Sequence, residues 1–200
     1  DVERGDFRAT SFDQMAQDYA SQTEGLIDGG ADLLLVETIF DGLNTKAALY
    51  AISKVQENKG TDIPVMISAT INDRQGRILT GIHVEELYEA LSHYPIFSFG
   101  LNCSFGAEDM EPVIARLSAI LPCAVSIYPN AGLPDTLGGY PETPQMTAGY
   151  LKEIALKGYI NIAGGCCGTT PDHIRAISDT LKGIAPRPIG QIAPKVGIQE

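Results

Sequence analysis

The sequence has no apolar run approaching the ~18–20 residues that a membrane-spanning helix requires, so no span is expected. Its opening residues, Asp-Val-Glu-Arg-Gly-Asp, carry no signal-peptide core, and no initiator methionine precedes them; the expectation is a chain cut from something longer. Positive charge is scarce: 14 Lys and Arg stand against 25 Asp and Glu, a net charge of −11. That balance repels phosphates, which argues against nucleic acid or an anionic membrane as partner, and it favours solubility. Cysteine is sparse, four in 200 residues with two adjacent, too few for a disulfide scaffold. A reducing, cytoplasmic compartment is expected. The histidines, His83, His93 and His173, share no zinc-ligand spacing. His83 precedes a helical pattern and His93 ends one, which suits solvated or capping roles. There is no Walker-type phosphate loop, no GxGxxG between a strand and a helix, and no Gly-x-Ser-x-Gly elbow.

What is present is a repeating unit: a short apolar run, ending in small or polar residues, followed by an amphipathic helical pattern. The runs are Leu33–Glu37, Val65–Thr70, Ile96–Asn102, Ala124–Tyr128 and Tyr159–Ala163. Their near-continuous hydrophobicity is that of parallel strands covered on both faces. A first helix opens near Thr10 or Ser11, turns Met15, Tyr19, Leu26 and Ile27 inward, and stops at Gly29-Gly30. Others run from Asp41 to the Lys59-Gly60 turn, through Val84–Leu91, Met110–Leu117 and Met146–Ala155, and from Thr170-Pro171-Asp172 to Leu181. The last carries a cap residue, a proline at its first position and an acid in its first turn. Asp73-Arg74-Gln75-Gly76 reads as a turn, and prolines after Ala185 mark a tail. Such a chain builds a parallel α/β sheet. An open five-stranded sheet and part of a (β/α)8 barrel both fit the pattern, and at this length the open sheet is the commoner.

In either fold chemistry gathers at the carboxyl ends of the strands. Those ends carry Glu37-Thr38 with Asp41, Asn72-Asp73, Asn102-Cys103, Pro129-Asn130-Ala131-Gly132, and Gly164-Gly165-Cys166-Cys167-Gly168-Thr169-Thr170-Pro171. Three cysteines therefore share one rim, while Cys123 precedes its strand and belongs to the opposite one. Adjacent cysteines point apart in an extended chain, but a glycine-rich turn lets both sulfurs reach one metal. The helix beginning near Pro171 aims its positive end at this rim and favours thiolate over thiol. Three soft anionic ligands suit zinc, or less well copper(I), with one position left open as in a catalytic site. The competing readings are small buried core residues, a vicinal disulfide or a redox switch.

The motifs Gly100-Leu101-Asn102-Cys103, Pro129-Asn130-Ala131-Gly132 and Gly164-Gly165-Cys166-Cys167-Gly168-Thr169-Thr170-Pro171 resemble those of the homocysteine S-methyltransferases. The resemblance runs from about Phe7 to Arg187, and within that family it is to the homocysteine-binding modules of cobalamin-dependent methionine synthases. It implies a zinc-binding (β/α)8 barrel with one ligand after strand 6 and two after strand 8. Counted that way, this chain is the C-terminal part of the barrel, about strands 4–8, and strands 1–3 with their substrate-binding loop are lacking. The implied domains are 1–186, the homocysteine-binding part, and 187–200, a linker toward a following folate-binding domain.

The same resemblance implies the site. Cys103, Cys166 and Cys167 would act through zinc, whose open position receives the homocysteine thiol as a thiolate able to attack a methyl group, giving methionine. Glu37 would hold the substrate's amino group. Asn130 would occupy the open metal position until substrate displaces it, and Asn102 and Thr38 would line the pocket. The stretch Val36–Asn44 and the proline-rich tail favour methylcobalamin as donor, carried with methyltetrahydrofolate chemistry on separate cobalamin- and folate-binding domains of a longer chain. The alternatives are a betaine or S-methylmethionine enzyme and, from a different class, a non-catalytic zinc or redox module. A structural zinc site would need a fourth protein ligand.

Overall fold

The computed structural model describes residues 9–190. The expected order of elements is realised: α1 (Phe12–Asp28), β1 (Leu34–Ile39), α2 (Gly42–Lys59), β2 (Val65–Ala69), α3 (Val84–Leu91), β3 (Ile96–Asn102), α4 (Ala107–Ile120), β4 (Ala124–Tyr128), α5 (Pro144–Leu156), β5 (Ile162–Ala163) and α6 (Pro171–Leu181). The helix ends follow their local chemistry. Ser11 caps α1 by accepting Gln14 N–H, and Asp41 caps α2 by accepting Leu43 and Asn44 N–H. Gly60, in the left-handed region, closes α2.

All strand pairs are parallel, and the five strands lie side by side in chain order. That order decides between the two architectures. A doubly wound open sheet reverses direction at a switch point and places helices on both faces. A sheet that advances one strand at a time by right-handed crossovers keeps its helices on one face and curls as a barrel wall does. The chain has the fold of part of a (β/α)8 barrel, and the open sheet, though commoner at this length, is not what forms.

The two faces differ in composition. Toward the helices point Val65, Ile67 and Ala69 of β2, Phe99 and Leu101 of β3, and Val125 and Ile127 of β4, packed with Leu87, Met110, Ile114, Leu117 and Leu151. By strand alternation the opposite face carries Ser68, Ser98, Gly100, Asn102, Ser126 and Tyr128. At Gly100 a side chain is impossible, because a Cβ would lie 1.8 Å from the Ser126 carbonyl oxygen. The glycine of the Gly-Leu-Asn-Cys motif thus permits β3 and β4 to close together.

Three expectations need adjustment. In α1 the residues buried are Ala16 and Thr23 while Leu26 is exposed, because this helix packs on α2 through small side chains. β5 is shorter than the apolar run suggested. Asn161 accepts Val125 N–H with its own Oδ1 at 2.9 Å, so its side chain takes a place the backbone ladder would hold. The tail, expected from residue 187, starts later. Arg187 is buried, donating to the carbonyls of Ser118 (2.8 Å from Nη2), Leu121 and Cys123 (3.1 Å), while Asn161 Nδ2 donates to its carbonyl at 2.7 Å. The guanidinium sits at the carboxyl end of α4, where a cation offsets the helix dipole. Residues 191–200 of the expected linker, and the first residues of the expected domain, lie outside the described residues.

Arg187→Met should therefore lower unfolding stability by about 2–3 kcal/mol, since it removes hydrogen bonds from a charged donor to carbonyls with little else to pair with. A urea titration followed by circular dichroism tests this, and an unchanged midpoint would return Arg187 to the tail.

Candidate metal centre

Cys103 stands at the end of β3 and Cys166-Cys167 follow β5, with β4 between them. Strands are about 4.8 Å apart, so these ends start roughly 10 Å from one another. Both loops nevertheless bend inward over the end of β4. Cys103 and Ser104 adopt positive φ (62° and 64°), which turns the chain back, and Cys103 N–H donates to the Tyr128 carbonyl at 3.1 Å. From the other side Cys166 N–H donates to Pro129 O at 2.7 Å, Cys167 N–H to Asn130 Oδ1 at 3.0 Å, and Ala131 N–H to Cys167 O at 2.9 Å. Gly168 has φ +79°, and a Cβ there would lie 2.3 Å from Cγ of Tyr140. The Pro129-Asn130-Ala131 segment is thus the bracket on which the cysteine turn hangs.

The result is a triangle of sulfurs. Cys103 Sγ lies 3.6 Å from Cys167 Sγ, Cys166 Sγ lies 4.0 Å from Cys167 Sγ, and all three fall within 4.8 Å of one another. Zinc–sulfur bonds of about 2.3 Å in a tetrahedron put neighbouring sulfurs about 3.8 Å apart. The spacing fits that ion, and so does the donor set. Among the described residues this grouping has three cysteines and no fourth His, Cys, Asp or Glu ligand. All four cysteines are free, and Cys123 is where expected, at the opposite rim beside Pro122 and Ile96.

The thiols are electrostatically unequal. Burial pushes Cys166 up to about 11. Cys167 is held below the ordinary thiol range, first by its hydrogen bond with Cys103, and also by the Tyr140 hydroxyl. Three thiolates so close repel, by about 4 kcal/mol per pair at an effective dielectric constant near 20, so full deprotonation calls for a cation among them.

Asn102 is fully buried beside the cluster. Its Oδ1 accepts Ser68 Oγ–H (2.8 Å) and Thr38 N–H (3.2 Å), and its Nδ2 donates to Thr38 Oγ1 (2.9 Å) and toward Cys166 Sγ (3.8 Å). Thr38 has φ +59°, rare for a β-branched residue and worth about 1–3 kcal/mol of strain. It belongs to a bulge, since Val36 pairs with Ile67 but Ile39 with Ala69. Alternation places Glu37 on the inner face, and the extra residue returns Ile39 to the core. Glu37 is exposed there, close enough to Tyr128 for its charge to help hold that hydroxyl protonated, after the larger effect of burial.

The sequence-selected residues do not all converge. Cys103, Cys166, Cys167, Asn102, Thr38 and Asn130 form one connected cluster, and Glu37 flanks it. Asp41 is spent on capping α2, and Asp73 on Arg77 within its turn. Asn130, expected at an open metal position, directs its Oδ1 to Cys167 N–H instead. Missed altogether were Tyr140 and the support beneath the turn. His173 is buried, with Nδ1 accepting Thr170 N–H (3.2 Å) and Nε2 at 3.0 Å from the Glu142 carbonyl. Glu142 N–H in turn donates to Ala131 O at 3.1 Å. A histidine in the first turn after Thr-Pro-Asp was the available signal. A cavity of about 910 Å³ lies at the opposite rim around Pro64, Tyr94, Phe97 and Cys123, and it gathers no comparable set of ligands.

A family model described as homocysteine S-methyltransferase matches residues 2–181. Among solved structures, the apo form of the homocysteine methyltransferase MmuM from Escherichia coli has a TM-score of 0.69 at 24% identity, covering 88% of this chain and 60% of that one. Its metallated form has a TM-score of 0.67 at 24% identity, covering 89% and 55%. At this identity the likeness concerns the fold. The chain spans 55–60% of the length of these relatives.

Gly168→Ala should disturb the cysteine turn, by steric conflict with Tyr140 and by about 1–2 kcal/mol of left-handed strain. The expected result is a lower melting temperature and weaker capture of a trivalent arsenical that bridges neighbouring thiols. Unaltered capture would show that the turn does not set the sulfur triangle.

Proposed function

Because the chain belongs to the homocysteine S-methyltransferase family, we propose that it binds homocysteine at a zinc ion held by Cys103, Cys166 and Cys167 and readies that thiol for methylation to methionine. The observation that carries this reading is the triangle of sulfurs at zinc–thiolate spacing with no fourth protein ligand among the described residues. Zinc held there would supply the Lewis acidity that keeps a fourth sulfur ionised at neutral pH.

The chain's own residues divide the remaining work. Glu37, on the inner side of the bulge, offers a carboxylate to the substrate's ammonium group. Thr38 and the buried Asn102 link the strand end that bears this carboxylate to Cys166. Asn130 fixes the cysteine turn through Cys167 N–H; to occupy the metal's open position as well, it would have to exchange that bond. The Tyr140 hydroxyl helps hold Cys167 below the ordinary thiol range, and its side chain packs against Gly168 of the turn. Four free cysteines suit a reducing compartment such as the cytoplasm, and no helix among the described residues is long and apolar enough to cross a membrane.

For the methyl donor we favour methylcobalamin on another module of a longer chain, replenished from methyltetrahydrofolate on a third. The stretch Val36–Asn44 supports this, and so do the exposed apolar side chains on the segments following the strands: Phe40 and Leu43 after β1, Leu79 and Ile82 after β2, Leu133 and Leu137 after β4. Such a rim suits a bulky donor carried by protein better than a small zwitterion.

The test is the zinc content of the reduced protein and of Cys103→Ser, each titrated with homocysteine. About one zinc per chain, lost in the variant and perturbed by homocysteine, is expected. A metal-free wild type would count against the reading, decisively if a chain extended to a full barrel were also metal-free. Supplying methylcobalamin, betaine or S-methylmethionine to the homocysteine-loaded protein then separates the donors.

A further inference from the structure

Two features at the rim have no obvious reason to adjoin: the strained bulge at the end of β1 and the Cys166 sulfur of the thiol triangle. One side chain touches both. Asn102 uses both amide groups, and three of its four contacts go to the two sites: Thr38 N–H and Thr38 Oγ1 on one side, Cys166 Sγ on the other. The fourth is Ser68 Oγ–H, donated to Oδ1; Thr38 N–H, which can only donate, fixes which way the amide points, so oxygen and nitrogen cannot interchange without losing that bond.

The contacts with Thr38 are of a kind that imposes conformation. Amide oxygen and nitrogen grip the backbone N–H and the side-chain hydroxyl of the same residue, at 3.2 and 2.9 Å. An isolated threonine avoids positive φ, and only a surrounding structure that over-determines it keeps it there. In the bulge, Thr38 directly follows Glu37, so its left-handed turn fixes the strand end on which the Glu37 carboxylate stands. The third contact is an N–H directed at a sulfur, which orients a ligand from behind as outer-shell groups do.

We infer that Asn102 is a positioning residue that sets the Thr38 bulge and the Cys166 sulfur with a single amide, so that the substrate-side carboxylate and the sulfur triangle keep one fixed relation. Its role is to hold two groups that meet the substrate and the metal, rather than to contact the substrate itself. The Cys166 half rests on the metal reading above, and the Thr38 half does not.

The experiment compares wild type, Asn102→Ala and Thr38→Val, all as the 200-residue protein. Carbon chemical shifts of Thr38 in the metal-free protein report its left-handed turn. Titration with Co2+ in competition with a chelator reports affinity, and the thiolate-to-cobalt charge-transfer band reports ligand geometry. Asn102→Ala is expected to lose the left-handed signature, to weaken cobalt binding roughly 10–100-fold and to shift the band. Thr38→Val keeps the side-chain shape while deleting one acceptor, and should weaken binding by roughly 2–10-fold. A folded Asn102→Ala with wild-type shifts, affinity and band would overturn the inference. Should that variant fail to fold, Thr38→Val decides: a moved band supports the coupling, and an unmoved one overturns it. A wild type that takes up no cobalt would sink the metal reading instead, while the Thr38 shifts would still judge the inference.

Discussion

Everything at this rim depends on one geometric constraint: sulfurs from β3 and β5 must meet across β4. Two strand spacings, roughly 10 Å, have to shrink to a sulfur contact of 3.6 Å. The shortening comes from folding both loops over the end of β4, and that requires the β4 loop to serve as their floor. Backbone groups of Tyr128, Pro129 and Ala131, with the side chain of Asn130, receive or donate the bonds that hold the two loops down. Below that floor, Glu142 and His173 tie it to α5 and α6. A thiol site that sounds like three residues is therefore a property of three consecutive strand–helix units.

Much of this was legible in the sequence, for identifiable reasons. Parallel strands buried on both faces leave continuous apolar runs, and cap residues, prolines and glycines punctuate the helices, so the element order could be read directly. The cysteines could be assigned to a rim because strand direction follows from the βα alternation. What escaped was whatever depends on tertiary closure. Positive φ at Thr38, Cys103 and Ser104 has no signature in residue type, since none is glycine. The shortening of β5 arises when one asparagine side chain replaces a backbone partner, and Asn161 looks like any polar residue at a strand's start. Arg187 lay among prolines that announce a tail, yet its guanidinium finds the carbonyl end of a helix almost 70 residues earlier. Sheet order was the other gap: pattern alone allowed two architectures, and the resemblance tipped the balance before the strand order settled it.

The strain at the rim and the polarity of the inner sheet face have a common physical root. The helix side of the sheet takes most of the large apolar side chains, and the other face holds Met66 and Ala124 together with serines and an asparagine beneath the site. Those polar groups are what make it possible to stabilise left-handed residues, because an amide buried at the end of β3 can grip a neighbouring backbone that water would otherwise compete for. Strain, buried polarity and clustered thiols are each costly taken singly. Together each supplies what another lacks: the amide satisfies the strained backbone, the strained turns bring the thiols together, and the thiols acquire a use for their proximity when a cation joins them.

This arrangement also divides the site into two halves carried by different strands. The sulfurs and their floor belong to β3, β4 and β5, tied by several backbone hydrogen bonds and by helices on the far side. Glu37 and Thr38 lie at the end of β1, a strand paired on one side only among the described residues. The same holds for β5, which precedes Cys166 and Cys167, and among the described residues no strand pairing ties β1 directly to β3, β4 or β5. Ordinarily that would let the carboxylate and the sulfurs drift in relation to each other, and the methyl transfer proposed above would tolerate little such drift, because its reacting atoms must approach in line. Against this stands a single fully buried amide on interior strand β3, reaching outward to the edge and inward to Cys166. The position of Asn102, immediately before the first cysteine, is thus explained by mechanics: it is the last residue of the rigid strand, and so the nearest fixed point to both halves.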